Sequence, residues 1–153
     1  AVATAPEFEL SFDLTPFGTV PKFSSILRLT ITGTNQNHFG DRMPAFGFLP
    51  NSTTIMAFMG HMDDHNARCT TTSRTGLRAG ETSRIMARLA GASFTVYVNG
   101  QSACVTPGFK RRYQGMQGVR LCVGGVHDRP ADAVIGNVSY KVLKPGSVAS
   151  AKK

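Results

Sequence analysis

The sequence predicts an all-β protein, an antiparallel β-sandwich or barrel, and three observations predict it. Apolar and polar residues alternate with period two in several segments, turn-forming residues recur at short, fairly regular intervals, and no segment holds a helical period over three turns. About eight to twelve short strands without a long helix, in 153 residues, fit a sandwich or barrel and little else.

The first strand covers residues 7–14, where Phe8, Leu10, Phe12 and Leu14 alternate with Glu7, Glu9, Ser11 and Asp13, the pattern of a half-buried strand. Leu27, Leu29 and Ile31 alternate in the same way with Arg28, Thr30 and Thr32. Shorter apolar runs follow at 44–49 and 53–59. Met56, Met59 and Met62 have a helix-like spacing, but in this β context they read as core and sheet edge. Across 83–90, Ile85, Ala87 and Leu89 share one face and Arg84, Met86 and Arg88 the other. Phe94, Val96 and Val98 alternate with Thr95, Tyr97 and Asn99. Asn99-Gly100 then supplies two residues tolerant of positive φ, a type I′ hairpin turn into an extended stretch toward Val105. Residues 119–123 are apolar, and 133–143 are rich in β-branched residues. Strict parity along that last strand groups Val134, Val138, Tyr140 and Val142 on one face, with Ile135, Asn137, Ser139 and Lys141 on the other. Turn formers such as Pro16-Phe17-Gly18, Gly33-Thr34-Asn35, Pro50-Asn51, Ala79-Gly80, Gly124-Gly125 and Arg129-Pro130 separate the runs. No repeat or linker interrupts them, so residues 1–144 read as one domain and 145–153 as a polar tail.

An apolar content of 41% with 17% charged residues excludes collagen, coiled coil and disorder, and the absence of any run of eighteen apolar residues excludes a helical membrane span. Seventeen lysines and arginines against nine acids give a formal charge of +8, which points to anionic partners. The basic residues form no helix-borne cluster, zinc-ligand spacing or RNP-like aromatic segment, so a specific nucleic-acid reader is not expected. Strand parity nominates Arg28, Arg84 and Arg88 as an exposed basic surface, joined by the run Lys110-Arg111-Arg112. Guanidinium forks match the paired oxygens of sulfate, carboxylate and phosphate, so an acidic polysaccharide is the expected ligand of such a surface.

Three cysteines, Cys69, Cys104 and Cys122, fit no metal spacing. The chain opens Ala1-Val2-Ala3-Thr4, as a mature chain does after removal of a signal peptide, and carries two N-glycosylation sequons, at Asn51 and Asn137. The expectation is therefore a secreted glycoprotein with one disulfide and one cysteine left over. Three pairings are open, and the reading leans to Cys69 with Cys104. Asn51, in a turn, is the preferred acceptor, and parity along the last strand turns the Asn137 amide to solvent. The cluster His61-Met62-Asp63-Asp64-His65 contains metal-ligating side chains, but it lacks a third distant ligand and reads as a solvated loop. Asp41-Arg42, ahead of Met43-Pro44, reads as a buried pair anchoring a strand start.

In order along the chain stand Phe8-Glu9-Leu10-Ser11-Phe12-Asp13-Leu14 with Pro16, Ser24-Ser25-Ile26-Leu27, Gly40-Asp41-Arg42-Met43-Pro44-Ala45-Phe46, Phe94-Thr95-Val96-Tyr97-Val98-Asn99-Gly100, and the stretch from Arg129-Pro130 to Asn137-Val138. Together they resemble a laminin G-like module of the concanavalin A-like jelly-roll superfamily. The resemblance implies an antiparallel two-sheet β-sandwich, a jelly roll with its sheets packed face to face, a ligand surface on the concave sheet or at the rim loops, and a role in adhesion, glycan binding or matrix.

The glucan-cleaving branch of that superfamily carries acids at alternate positions of one strand, and this chain departs from it. Retaining hydrolysis needs two carboxyl groups about 5 Å apart. The one strand-borne pair, Glu7 and Glu9, lies at the start of the first strand on its polar side. There is no Gly-x-Ser-x-Gly elbow, no phosphate loop and no tryptophan for sugar stacking. The expected function is a secreted, non-enzymatic, lectin-like recognition module without a cofactor, binding a glycan or a glycosylated or acidic extracellular protein. The alternative is a self-assembling structural subunit of a matrix, filament or surface appendage.

Overall fold

The computed structural model describes residues 7–33, 41–60, 67–71, 76–109, 119–124 and 128–144, and these form eleven strands and no helix. They are β1 (Glu7–Pro16), β2 (Ser24–Thr30), β3 (Ala45–Phe48), β4 (Ile55–Met59), β5 (Ala67–Thr70), β6 (Ser83–Ala90), β7 (Ser93–Val98), β8 (Gln101–Pro107), β9 (Arg120–Val123), β10 (Arg129–Pro130) and β11 (Ala133–Leu143). One sheet, A, has the order β11-β1-β6-β7-β8, and the other, B, has the order β10-β2-β3-β4-β5, with β9 also paired to β2. All pairings are antiparallel except the two-residue β10–β2 contact, which is parallel. The fold class read from the sequence is the fold class observed.

The two inner faces make the core. Strand β1 alternates without a break: Phe8, Leu10, Phe12 and Leu14 are fully buried, while Glu7, Glu9, Ser11, Asp13 and Thr15 point outward. Each of those four apolar side chains contributes roughly 1.5–3 kcal/mol by leaving water. Opposite them, sheet B contributes Ile26, Leu27, Leu29, Phe46, Phe48, Ile55, Ala57 and Met59, and Phe12 meets Phe46 edge to face at 5.2 Å between ring centroids. The β7–β8 hairpin closes through Asn99 and Gly100, whose φ values of 50° and 80° are those of the type I′ turn their sequence calls for. Met59 is core and Met56 lies on the outer side of β4, whereas Met62 is outside the described residues.

Two irregularities break the parity argument. Between Ser11 and Asp13 of β1, strand β11 carries an extra residue, with Asn137 at φ 47°. This bulge exchanges the faces of β11. Val134 lies opposite outward Thr15, but Tyr140 and Val142 lie opposite inward Leu10 and Phe8, so Val134 does not share their face. Ile135, opposite Leu14, packs against the core, apart from Ser139 and Lys141, which lie opposite outward Ser11 and Glu9. A second register shift, between Ser25 and Leu27 of β2, lets both Ile26 and Leu27 be buried.

At one side of the sandwich Cys69 of β5 is bonded to Cys104 of β8, with the two Cα atoms 5.8 Å apart, and this bridge ties the edge of sheet B to the edge of sheet A. Cys122 of β9 is the free thiol.

Candidate ligand-binding cleft

The outer face of sheet B carries a concavity of about 350 Å³, the size class of a small-molecule site. Register builds it. Arg28 of β2 stands beside Ala45 of β3, Ala45 beside Phe58 of β4, and Phe58 beside Arg68 of β5. Three strand spacings separate the two arginine backbones, roughly 14 Å, which is within the joint reach of two guanidinium side chains. The methyl group of Ala45 between them keeps the floor low. Ser25, Gly47 and Met56 form the next row along the sheet. A Cβ on Gly47 would collide with the Phe23 ring, so the missing side chain is what lets Phe23 lie against the sheet. From there the ring meets Phe58 edge to face at 5.4 Å. Arg42 arrives from the segment before β3, where Met43 donates its amide to the Leu29 carbonyl and a cis peptide joins Met43 to Pro44. Leu49 and Asp128 complete the walls among the described residues.

The three guanidiniums are graded in depth: Arg28 is only 4% exposed, Arg42 is half-buried and Arg68 is exposed at the rim. Arg42 and Arg68 stand over the Phe58 ring, with guanidinium carbons 5.7 and 6.0 Å from its centroid, which steers both toward the same place. Burial pushes the Arg42 guanidinium below its ordinary pKa; Asp41 and Asp128 act against that, and the charges of Arg28 and Arg68 add to it. Asp41 is completely buried and accepts a hydrogen bond from the Thr32 hydroxyl, which ties the segment before β3 to the end of β2, whereas Arg42 is only half-buried. Arg42 also lines the cleft, a role its sequence position did not reveal. Guanidinium groups carry paired N–H donors of the geometry that oxyanions accept.

The residues nominated from sequence divide between the two sheets. Arg28 is outward by parity, as expected, yet buried by the walls around it rather than exposed. Arg84 and Arg88 lie on the outer face of sheet A, away from Arg28, and their charges are spent there. Arg84 donates to Asp13 at 3.1 Å, to Ser11 at 2.6 Å and to the Asn137 carbonyl at 2.8 Å. Arg88, only 9% exposed, pairs with Glu9 at 3.5 Å. A single basic surface uniting Arg28, Arg84 and Arg88 is therefore not formed. Lys110, Arg111 and Arg112 lie outside the described residues, as do His61, Asp63, Asp64 and His65. Among the described residues no group of three metal-ligating side chains assembles. Glu7 accepts the Gly91 amide at 2.7 Å, so both carboxylates of the early acidic pair have structural partners. Asn51 sits in an exposed turn at φ 52°. Asn137 is exposed, but its amide donates to Asp13 at 2.5 Å rather than only to solvent. Arg68 was missed because β5 is four residues long and has no alternating apolar run to announce it.

No protein-family model matches the chain, and no curated protein sequence matches it. Solved structures do. A heptameric SAP-like pentraxin from Limulus polyphemus superposes with a TM-score of 0.63 at 9% identity, over 94% of this chain and 68% of the other. The carbohydrate-binding module CBM66 from Bacillus subtilis gives 0.52 at 13% identity, over 90% and 76%. Trypanosoma rangeli sialidase gives 0.61 at 13% identity over 91% of this chain, which spans only 21% of that enzyme. At these identities the likeness is one of fold alone: an antiparallel, two-sheet jelly-roll β-sandwich.

Proposed function

We propose that this protein is a secreted, non-enzymatic recognition module of the laminin G-like type that binds a glycan, or a partner displaying one, through the arginine cleft of sheet B. The observation that carries the reading is the convergence of Arg28, Arg42 and Arg68 on one concavity floored by Ala45 and Phe58. The fold likeness to a carbohydrate-binding module supports it. Secretion is supported by the Cys69–Cys104 bridge, and no described helix is long and apolar enough to cross a membrane. Non-enzymatic action is supported by the engagement of Glu7 and Glu9 in structural contacts. The test is a glycan array probed with the wild-type chain and with Arg68→Ala, whose rim position spares the core. Binding that Arg68→Ala weakens supports the reading, and an array silent to the wild type overturns it.

A second reading, a self-assembling structural subunit, is favoured by the edge strand β11. It presents Val134, Val138, Tyr140 and Val142 partly to solvent along eleven residues. Long apolar edges are templates for strand pairing. Sedimentation of the wild type against Val142→Lys decides: concentration-dependent association abolished by the lysine supports assembly, and a strict monomer rejects it.

A further inference from the structure

We infer that the Cys69–Cys104 bridge is a latch on the cleft: it holds β5, and with it Arg68, against sheet B, and opening it releases that strand while the rest of the sandwich stays folded. The release of the strand stands on the fold alone, and its effect on binding rests on the glycan reading. The ground is how little else holds the two strands that the bridge joins. Among the described residues each is the outermost strand of its sheet, β5 beyond β4 and β8 beyond β7. Along β5 one side chain is buried, and it is that of Cys69 itself; along β8 none is. The neighbouring β4, by contrast, sends Ile55, Ala57 and Met59 into the core. Strand β5 is otherwise tied by its pairing with β4, from Ala67 opposite Met59 to Thr70 opposite Met56, and by the Thr71 amide, which donates to the Ile55 carbonyl. A short edge strand with few buried apolar contacts belongs to the least stable part of a fold, where local opening costs far less than global unfolding. A covalent tie between two such edges supplies what packing does not.

The neighbour of Cys69 in the chain connects this to the cleft. Successive side chains of a strand point to opposite faces, so the turn that puts Cys69 into the core puts Arg68 on the outer face. There Arg68 stands opposite Phe58, its guanidinium over the ring at 6.0 Å, and lines the cleft. With the anchor one residue away removed, that guanidinium is spread over many positions, and a ligand must restore the order at the expense of affinity. Opening the bridge is a reduction: a dithiol supplies two electrons and two protons and closes to its own cyclic disulfide, while the Cys69–Cys104 bond gives way to two thiols.

Hydrogen exchange on the full chain tests the latch, with the oxidised protein compared with protein held in dithiothreitol without denaturant and with Cys104→Ser. The expected result is exchange across residues 67–71 faster by about tenfold or more, with β1 and β6 as protected as before. On the glycan array of the preceding section the reduced chain should bind about tenfold more weakly, and Arg68→Ala should add nothing to that loss, because a released side chain and a deleted one are equivalent there. Unchanged exchange across 67–71, in a chain whose mass after alkylation shows that the bridge is open, overturns the latch. Equal loss of protection in β1 and β6 overturns it too, since the bridge would then staple the whole fold. Faster exchange in β5 with undiminished array binding rejects its control of the cleft. An array silent to the oxidised wild type rejects the glycan reading and leaves the exchange result to decide the release of β5.

Discussion

Gly47 and Asp13 show how much a single residue decides here. At Gly47 the absent side chain is occupied by the Phe23 ring, which in turn abuts Phe58 beneath two arginines. In Gly47→Ala the ring must leave the sheet and forfeit its edge-to-face contact, a loss of about 1 kcal/mol. The expected outcome is a small fall in denaturant midpoint together with a larger fall in ligand affinity, because the apolar wall moves. Asp13 works on the other sheet. The hydrogen bond from Asn137, then that from Arg84, hold its carboxyl below the ordinary carboxylate range. A depressed folded-state pKa means stability that is fully present above the unfolded value, about 3.9, and lost as pH falls through the folded one. The melting-temperature gap between the wild type and Asp13→Asn should therefore be open at neutral pH and close in strong acid. A gap that persists undiminished below about pH 2 would show that the ionised carboxylate is not its source.

At the scale of elements, legibility followed the regularity of pairing. Strand β1 sits between two partners and buries one whole face, so its period-two pattern was plain in the sequence. The hairpin at Asn99-Gly100 was equally plain, since few residue pairs accept two positive φ values. The last strand misled because one inserted residue at Asn137 flips every position on one side of it, and no local signal distinguishes a bulge from an alternation. Strands β5 and β10, of four and two residues, carry too few apolar positions to form a pattern. The cleft was half legible: Arg28 was on the correct side of its strand, but its burial, in a strand paired on both sides with Ala45 of β3 and Cys122 of β9 beside it, comes from pairings that sequence spacing does not encode. The bridge between β5 and β8 closes a separation of 35 residues, for which chain entropy predicts about 3–4 kcal/mol. Cys104→Ser should lose an amount of that order in chemical denaturation. Alkylation of the unreduced, denatured chain should label Cys122 alone, and label on Cys69 or Cys104 would contradict the pairing.

At the scale of the whole molecule, the outer faces of the two sheets handle charge differently. On sheet A, Glu7, Glu9 and Asp13 project beside Arg84, Arg88 and Lys141, alternating in sign across paired strands, so this face neutralises itself and serves cohesion. On sheet B, Arg28, Arg42 and Arg68 gather over one concavity that Asp128 also lines. The division predicts a double dissociation. Removing Arg88 strips a nearly buried side chain and its ion pair from β6, and Arg88→Ala should cost about 1–3 kcal/mol of stability while leaving the affinity for a glycan ligand unchanged. Arg68→Ala removes an exposed rim residue and should leave the melting temperature nearly unchanged while lowering that affinity about tenfold. Thermal melts and calorimetry on the same two preparations check both arms. Loss of affinity in Arg88→Ala at a temperature where it remains folded would mean that sheet A takes part in recognition, and that the two faces are not separate in function.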